Sequence, residues 1–180
     1  LANITKEEFK EIAAKRASEN YKSGMNCGES TFKAVLDTLI ENKMTSFPAE
    51  ITALATGMGG GVGSTGNACG ALTGAIMAAG VVHGRKNPMA KETLEERVEE
   101  MFGEQGVIRH FNNLANDFID KFGSANCKEL LAAYDYSSVE RRRLCRKIVT
   151  ETTEIAVDRI FQALEEGYAI PYRDNIMGKV

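Results

Sequence analysis

Residues 57–85 read GMGGGVGSTGNACGALTGAIMAAGVVHGR, and no other stretch of the chain combines so many small side chains with a cysteine. Before Asn67 the density of Gly argues against regular helix or strand, because Gly loses more backbone entropy on ordering than any other residue. The stretch up to there reads as a loop. From Asn67 onward Gly70, Ala71, Gly74, Ala75, Ala78 and Ala79 recur at the three- and four-residue spacings that share helix faces, which predicts a tightly packed, buried helix running to Val82. Cys69 falls in its first turn, where unpaired N–H groups and the positive end of the helix dipole favour a thiolate.

Other readings of the same residues fail on context. Residues 61–66 spell GVGSTG and match GxGxxG, but dinucleotide binding needs a preceding strand and an acidic residue about 20 positions on. Here residues 49–55 read as helix and the residues near position 86 are basic. No Lys stands where a phosphate-binding loop needs one. The apolar run from Ala68 to Val82 is shorter than the roughly 18 residues of a membrane span and carries polar Thr73, so no membrane span is expected.

Working outward toward the N-terminus, Pro48 opens a short helix with Ile51, Leu54 and Ala55 expected to face inward. Asn26 caps an earlier helix, with Glu29 three residues on and Phe32, Val35, Leu36, Leu39 and Ile40 as its apolar stripe; Cys27 is its first residue. Thr5 and Glu8 form a capping box for the first helix, whose inward face is Phe9, Ile12, Ala13, Ala17 and Tyr21 and which Gly24 stops. Toward the C-terminus, Asn87 and Pro88 open a longer helical period from Met89 to Phe122, with Gly103 and Gly106 as candidate breaks and Gly123 as its end. Asn126 caps the next helix at Cys127, and Ser137–Ser138 precede a last helix with Leu144, Cys145, Ile148, Ile155, Ala156, Ile160 and Ala163 inward. Strand alternation is absent. The expected fold is all-α: a single-domain bundle of six or seven helices over residues 1–180, with a glycine-rich loop leading into a buried small-residue helix.

The 180 residues carry 22 basic and 25 acidic side chains, a net charge of −3, and no Trp. Such a chain has no global field for nucleic acid or anionic lipid and no obvious base-stacking platform, so no nucleic-acid partner is expected. No secretory apolar segment follows Leu1, and a cytoplasmic protein is expected, with an already removed leader as the alternative.

Chemistry concentrates on Cys27, Cys69, Cys127 and Cys145. They show neither CxxC nor CxxCH spacing, so a shared site must be assembled by the fold. Three of them begin helices. Cys145 lies among Arg141, Arg142, Arg143, Arg146 and Lys147, with Arg141 and Arg142 one turn away to offset negative charge; Arg143 and Lys147 read as a solvated face. His83 and His110 read as packed or capping side chains rather than metal ligands, and Glu29 as a cap rather than an acid or base. Four thiolates are the usual ligand set of an iron–sulfur cluster, and the glycine loop is expected to bring backbone N–H groups toward their sulfurs. The same residues also suit disulfide exchange between two cysteines or a structural zinc ion.

Asn-Cys27-Gly-Glu-Ser, the glycine loop with Cys69-Gly-Ala-Leu-Thr-Gly74, Phe-Gly-Ser-Ala-Asn-Cys127-Lys-Glu-Leu-Leu and then Cys145, in that order, resemble the C_GCAxxG_C_C family, which is related to a domain of split-Soret cytochromes c. The resemblance spans about residues 10–165. It implies an all-helical redox protein whose four cysteines act together, holding an iron–sulfur cluster; a redox partner protein, not identified by the sequence, is expected with it. The haem chemistry of the split-Soret relatives does not carry over, and the residues after Gly167 have no counterpart there. The close-packing helices add pairing of two copies as an expectation.

Overall fold

The computed structural model describes residues 4–176. Among them are seven α-helices, α1 Lys6–Lys22, α2 Cys27–Glu41, α3 Gly70–His83, α4 Leu94–Phe102, α5 Ile108–Phe122, α6 Cys127–Leu130 and α7 Val139–Glu166, with a 3-10 helix Ala49–Met58 between α2 and α3. No strand occurs among the described residues, and the architecture is an all-α bundle. None of its described helices is long and apolar enough to cross a membrane.

The starts of the first two helices follow their capping boxes. Thr5 and Glu8 close α1, and Asn26 and Glu29 close α2. Each pair satisfies two backbone donors that a helix start otherwise leaves unbonded. Helix α1 lies along the long α7, where Phe9 meets Phe161 edge-on at 5.4 Å and Lys10 pairs with Asp158 at 3.0 Å. Phe9, Ala13 and Ala17 are buried there, but Ile12 is 38% exposed and does not share the inward face.

Helix α3 crosses α2 at glycines. A Cβ on Gly74 would stand 2.6 Å from the Gly28 carbonyl oxygen, and one on Gly28 would stand 2.6 Å from the Met58 Cβ. Both are closer than real Cβ contacts come, so α3 crosses α2 at Gly74, and α2 meets the 3-10 helix at Gly28, only because these positions lack a side chain. Ala71, Ala75, Ala78 and Ala79 are fully buried, and the small-residue face of α3 is thus used inside the chain.

Two expected elements come out differently. The segment after Pro48 is a 3-10 helix, in which side chains three apart share a face. Thr52, Ala55 and Met58 therefore point one way, and Leu54 is 65% exposed rather than inward. The period from Met89 to Phe122 is two helices. Asn87 and Pro88 make only a turn, in which the Asn87 carboxamide oxygen accepts from the Met89 N–H at 3.0 Å. Helix α4 starts instead at a Thr93–Glu96 capping box, and Gly103 ends it. The C-terminal segment is tied to α5: Asn113 donates to the Pro171 carbonyl at 2.9 Å, and Arg173 pairs with Asp117 at 2.8 Å. Asp117 in turn forms a two-pronged pair with Arg159 of α7.

Candidate four-cysteine site

The glycine loop brings the chain to the site through an uncommon backbone. Gly60, Gly61, Val62, Gly63 and Ser64 all hold positive φ, between 54° and 81°. L side chains at Val62 and Ser64 cost roughly 1–2 kcal/mol each there, while Gly adopts it freely. The loop closes on itself: Gly63, Gly66 and Asn67 donate to the carbonyls of Gly57, Gly60 and Gly61 at 2.7, 2.9 and 3.1 Å. These N–H groups are spent within the loop rather than directed at the sulfurs.

After the loop, Ala68 forms an antiparallel bridge with Asn126. The Cys69 N–H donates to the Ala125 carbonyl at 2.8 Å and the Cys127 N–H to the Asn67 carbonyl at 2.7 Å. Two cysteines far apart in sequence are thereby locked side by side. Cys69 is the N-cap of α3 rather than part of its first turn, and the N–H groups of Ala71 and Leu72 reach its sulfur. Asn126 does not cap α6; its amide donates to Glu129 at 3.0 Å.

Cys27 enters from the start of α2. The Asn26 amide donates to the Thr56 carbonyl at 3.0 Å, and Glu29 accepts from the Thr56 hydroxyl at 2.8 Å, so the capping box also ties α2 to the 3-10 helix. Glu29 is a capping and tethering group, as its position in the sequence indicates. A Cβ on Gly70 would lie 2.4 Å from the Cys27 sulfur, so the space that this sulfur occupies is left by a missing side chain. Cys145 comes from α7.

All four cysteines line one small apolar pocket of about 20 Å³, closed by Ala71, Leu130, Leu131 and Ile148. Cys69, 6% exposed, is its most buried thiol, and Cys27, Cys127 and Cys145 are half-buried. Those three also line a larger cleft of about 620 Å³ that opens to solvent. Every cysteine is a free thiol. Among the described residues no group of three or more His, Cys, Asp or Glu side chains is arranged to hold a metal ion.

Burial favours the protonated thiol at Cys69, Cys127 and Cys145. Burial, then the neighbouring Cys27, pushes Cys69 up to about 12, against the pull of the Ala71 and Leu72 N–H groups. Burial also raises Cys127, with Cys27 and Cys145 adding to the effect and Arg141 opposing it. Cys145 is raised by burial, drawn back by a hydrogen bond from Tyr21, raised again by Cys27 and lowered by Arg141. Helix starts alone would favour thiolates; here desolvation outweighs them.

Arg141 acts on this site, its guanidinium lying over the Tyr136 ring at 4.3 Å. Arg142 lines the cleft and donates to the Ser137 carbonyl at 2.7 Å. Arg143 is exposed, and Lys147 is exposed and pairs with Glu151. Sequence reasoning overlooks Tyr21, which it counts as part of an apolar stripe, and the cleft residues Lys128 and Tyr136. His83 and His110 lie outside the site, packed ring to ring at 4.7 Å. His83 bonds to the Tyr168 hydroxyl and the Ile160 carbonyl.

An all-helical bundle that turns four free thiols onto one pocket defines a four-cysteine helical protein. The family model described as "Putative redox-active protein (C_GCAxxG_C_C)" matches residues 25–159, and the chain belongs to that family. The match contains all four cysteines and is narrower than the span 10–165 of the motif resemblance, leaving out all of α1. Neither the curated proteins nor the solved structures compared include one that matches the chain.

Proposed function

We propose that Cys27, Cys69, Cys127 and Cys145 together bind one iron–sulfur cluster and that the protein carries electrons. The observation that carries this reading is the shared pocket: four sulfurs from four separate elements line one apolar space. The donor set fits, since four cysteine thiolates are the ligands of such clusters. A coordinated metal deprotonates its thiols, so cluster binding would release the protons that burial holds on Cys69, Cys127 and Cys145.

The same facts weigh on the alternatives. A single zinc ion with sulfurs about 2.3 Å away would hold them about 3.8 Å from one another, and no such group stands among the described residues. A cluster likewise requires the four sulfurs to close onto metal, so acid-labile sulfide rather than this geometry tells zinc from a cluster. Disulfide exchange needs a thiolate as attacker, a form that burial disfavours at Cys69, Cys127 and Cys145, which leaves Cys27, on the solvent cleft, as the thiol that reading would use. When bound, the cluster supplies a one-electron couple. Arg141 and the Tyr21 hydroxyl are the groups of this chain placed to offset negative charge on the sulfurs. A redox partner protein belongs to the same reading.

The test is elemental analysis of protein purified without oxygen and reconstituted with iron and sulfide. Iron and acid-labile sulfide bound in matching amounts support the cluster. Zinc without sulfide, or neither metal nor sulfide after reconstitution, would sink it.

A further inference from the structure

The cleft above the thiol pocket is lined by Lys128, Arg141 and Arg142 and by no Asp or Glu. In a chain whose net charge is −3, three cations without an acid among them are a local departure. None of the three forms an ion pair among the described residues. The Nε of Arg141 is buried with no hydrogen-bond partner. An unpaired cationic donor out of water costs more than a paired one, and an anion in the cleft would relieve that cost. Tyr21, Tyr136 and Leu131 add flat and apolar surface, and the volume of about 620 Å³ is within the range of small-molecule sites.

We infer that this cleft binds a small anion carried on a flat, aromatic body, seated against Cys27, Cys127 and Cys145. Its aromatic part lies on the tyrosines, and its sulfonate, carboxylate or phosphate meets Arg141, Lys128 and Arg142. That the ligand gives or takes electrons rests on the proposed redox site; that it binds does not.

Isothermal titration calorimetry on the whole purified protein separates the two. The probes are anthraquinone-2-sulfonate and flavin mononucleotide, which differ in their anionic group, with methyl viologen as a flat cation and inorganic pyrophosphate as an anion without a ring. Lys128 and Arg142 are exposed, so Lys128→Gln and Arg142→Gln should fold. Arg146→Gln removes the same charge from α7 outside the cleft. At least one flat anion should bind, methyl viologen should not, and pyrophosphate should bind more weakly. Each cleft variant should weaken binding about three- to fivefold, and Arg146→Gln less than twofold. Binding unchanged in both cleft variants, equal binding of methyl viologen, or no binding of either flat anion would overturn the inference. In the last case the basic rim is left to a protein partner. The titrations are run on protein of measured iron content, both iron-free and reconstituted; binding to the iron-free protein is what the inference requires, and its absence there overturns the inference.

Discussion

Ala68 and Asn126 pair as an antiparallel bridge, and the residues that follow them are Cys69 and Cys127. A single pair of backbone contacts thus sets the spacing of two site cysteines, with the Lys128 N–H to the Gly66 carbonyl at 2.9 Å extending it. The amides of Cys69 and Cys127 should therefore exchange with solvent slowly and open as one unit. Hydrogen exchange read residue by residue checks this. A Cys127 amide exchanging as fast as that of exposed Tyr136 would mean that the bridge does not hold the site.

Glycines make the approach of α2, α3 and the 3-10 helix possible, and two substitutions in α3 separate packing from propensity. Gly74→Ala places a methyl 2.6 Å from a backbone oxygen and should cost about 1–3 kcal/mol by urea denaturation. Gly80→Ala meets nothing within 4 Å and should stabilise the protein by about 0.5–1 kcal/mol. Equal effects at the two positions would contradict the close crossing.

Stability should fall in mild acid for a reason remote from the cysteines. His110 is buried, its Nε2 has no partner, and burial together with the neighbouring His83 and Arg159 lowers it from 6.5 to about 3. Between those values the unfolded chain binds the proton and the folded one does not. The contribution is therefore complete above pH 6.5 and lost as pH falls toward 3, approaching about 1.4 kcal/mol per pH unit. His110→Phe should flatten the stability profile between pH 6 and 4, leaving the smaller slope of His83, which is lowered in the same direction. An unchanged slope would show that His110 does not carry the effect.

Thiol accessibility should follow depth. In metal-free protein, Cys69 should be the last cysteine alkylated by iodoacetamide, being 6% exposed and raised to about 12. Peptide mass spectrometry over a time course reads the order. Labelling of Cys69 ahead of Cys127 would contradict the pocket's arrangement.

Periodicity and caps make most of the bundle legible in the sequence, because the apolar stripes of α2 and α7 and the Thr5–Glu8 and Asn26–Glu29 boxes are local signals. Leu54 is misread because an apolar pattern does not reveal whether a short helix turns every 3.6 or every 3.0 residues. The Thr93 cap, also a local signal, is passed over in favour of the Asn–Pro pair upstream. The four cysteines can be named as one set from their motifs, but nothing local shows how they meet. The Ala68–Asn126 bridge is a single long-range pair without strand alternation to announce it. Tyr21 fits a helical stripe, which conceals that its hydroxyl reaches Cys145. Thiol pKa values depend on burial, a property of the assembled fold, and so reverse what helix starts suggest.

Whether the four cysteines make one cluster site is read most directly from the dithionite-bleachable visible absorption of anaerobically reconstituted protein, compared with four variants in which Cys27, Cys69, Cys127 or Cys145 is changed to Ala. Circular dichroism on the same samples separates loss of the site from loss of the fold. One shared cluster gives a coloured, bleachable wild type and loss or marked change of the spectrum in each variant with helix content kept. A colourless wild type, or a variant at Cys27 or Cys145 with the full wild-type spectrum and iron content, would contradict it.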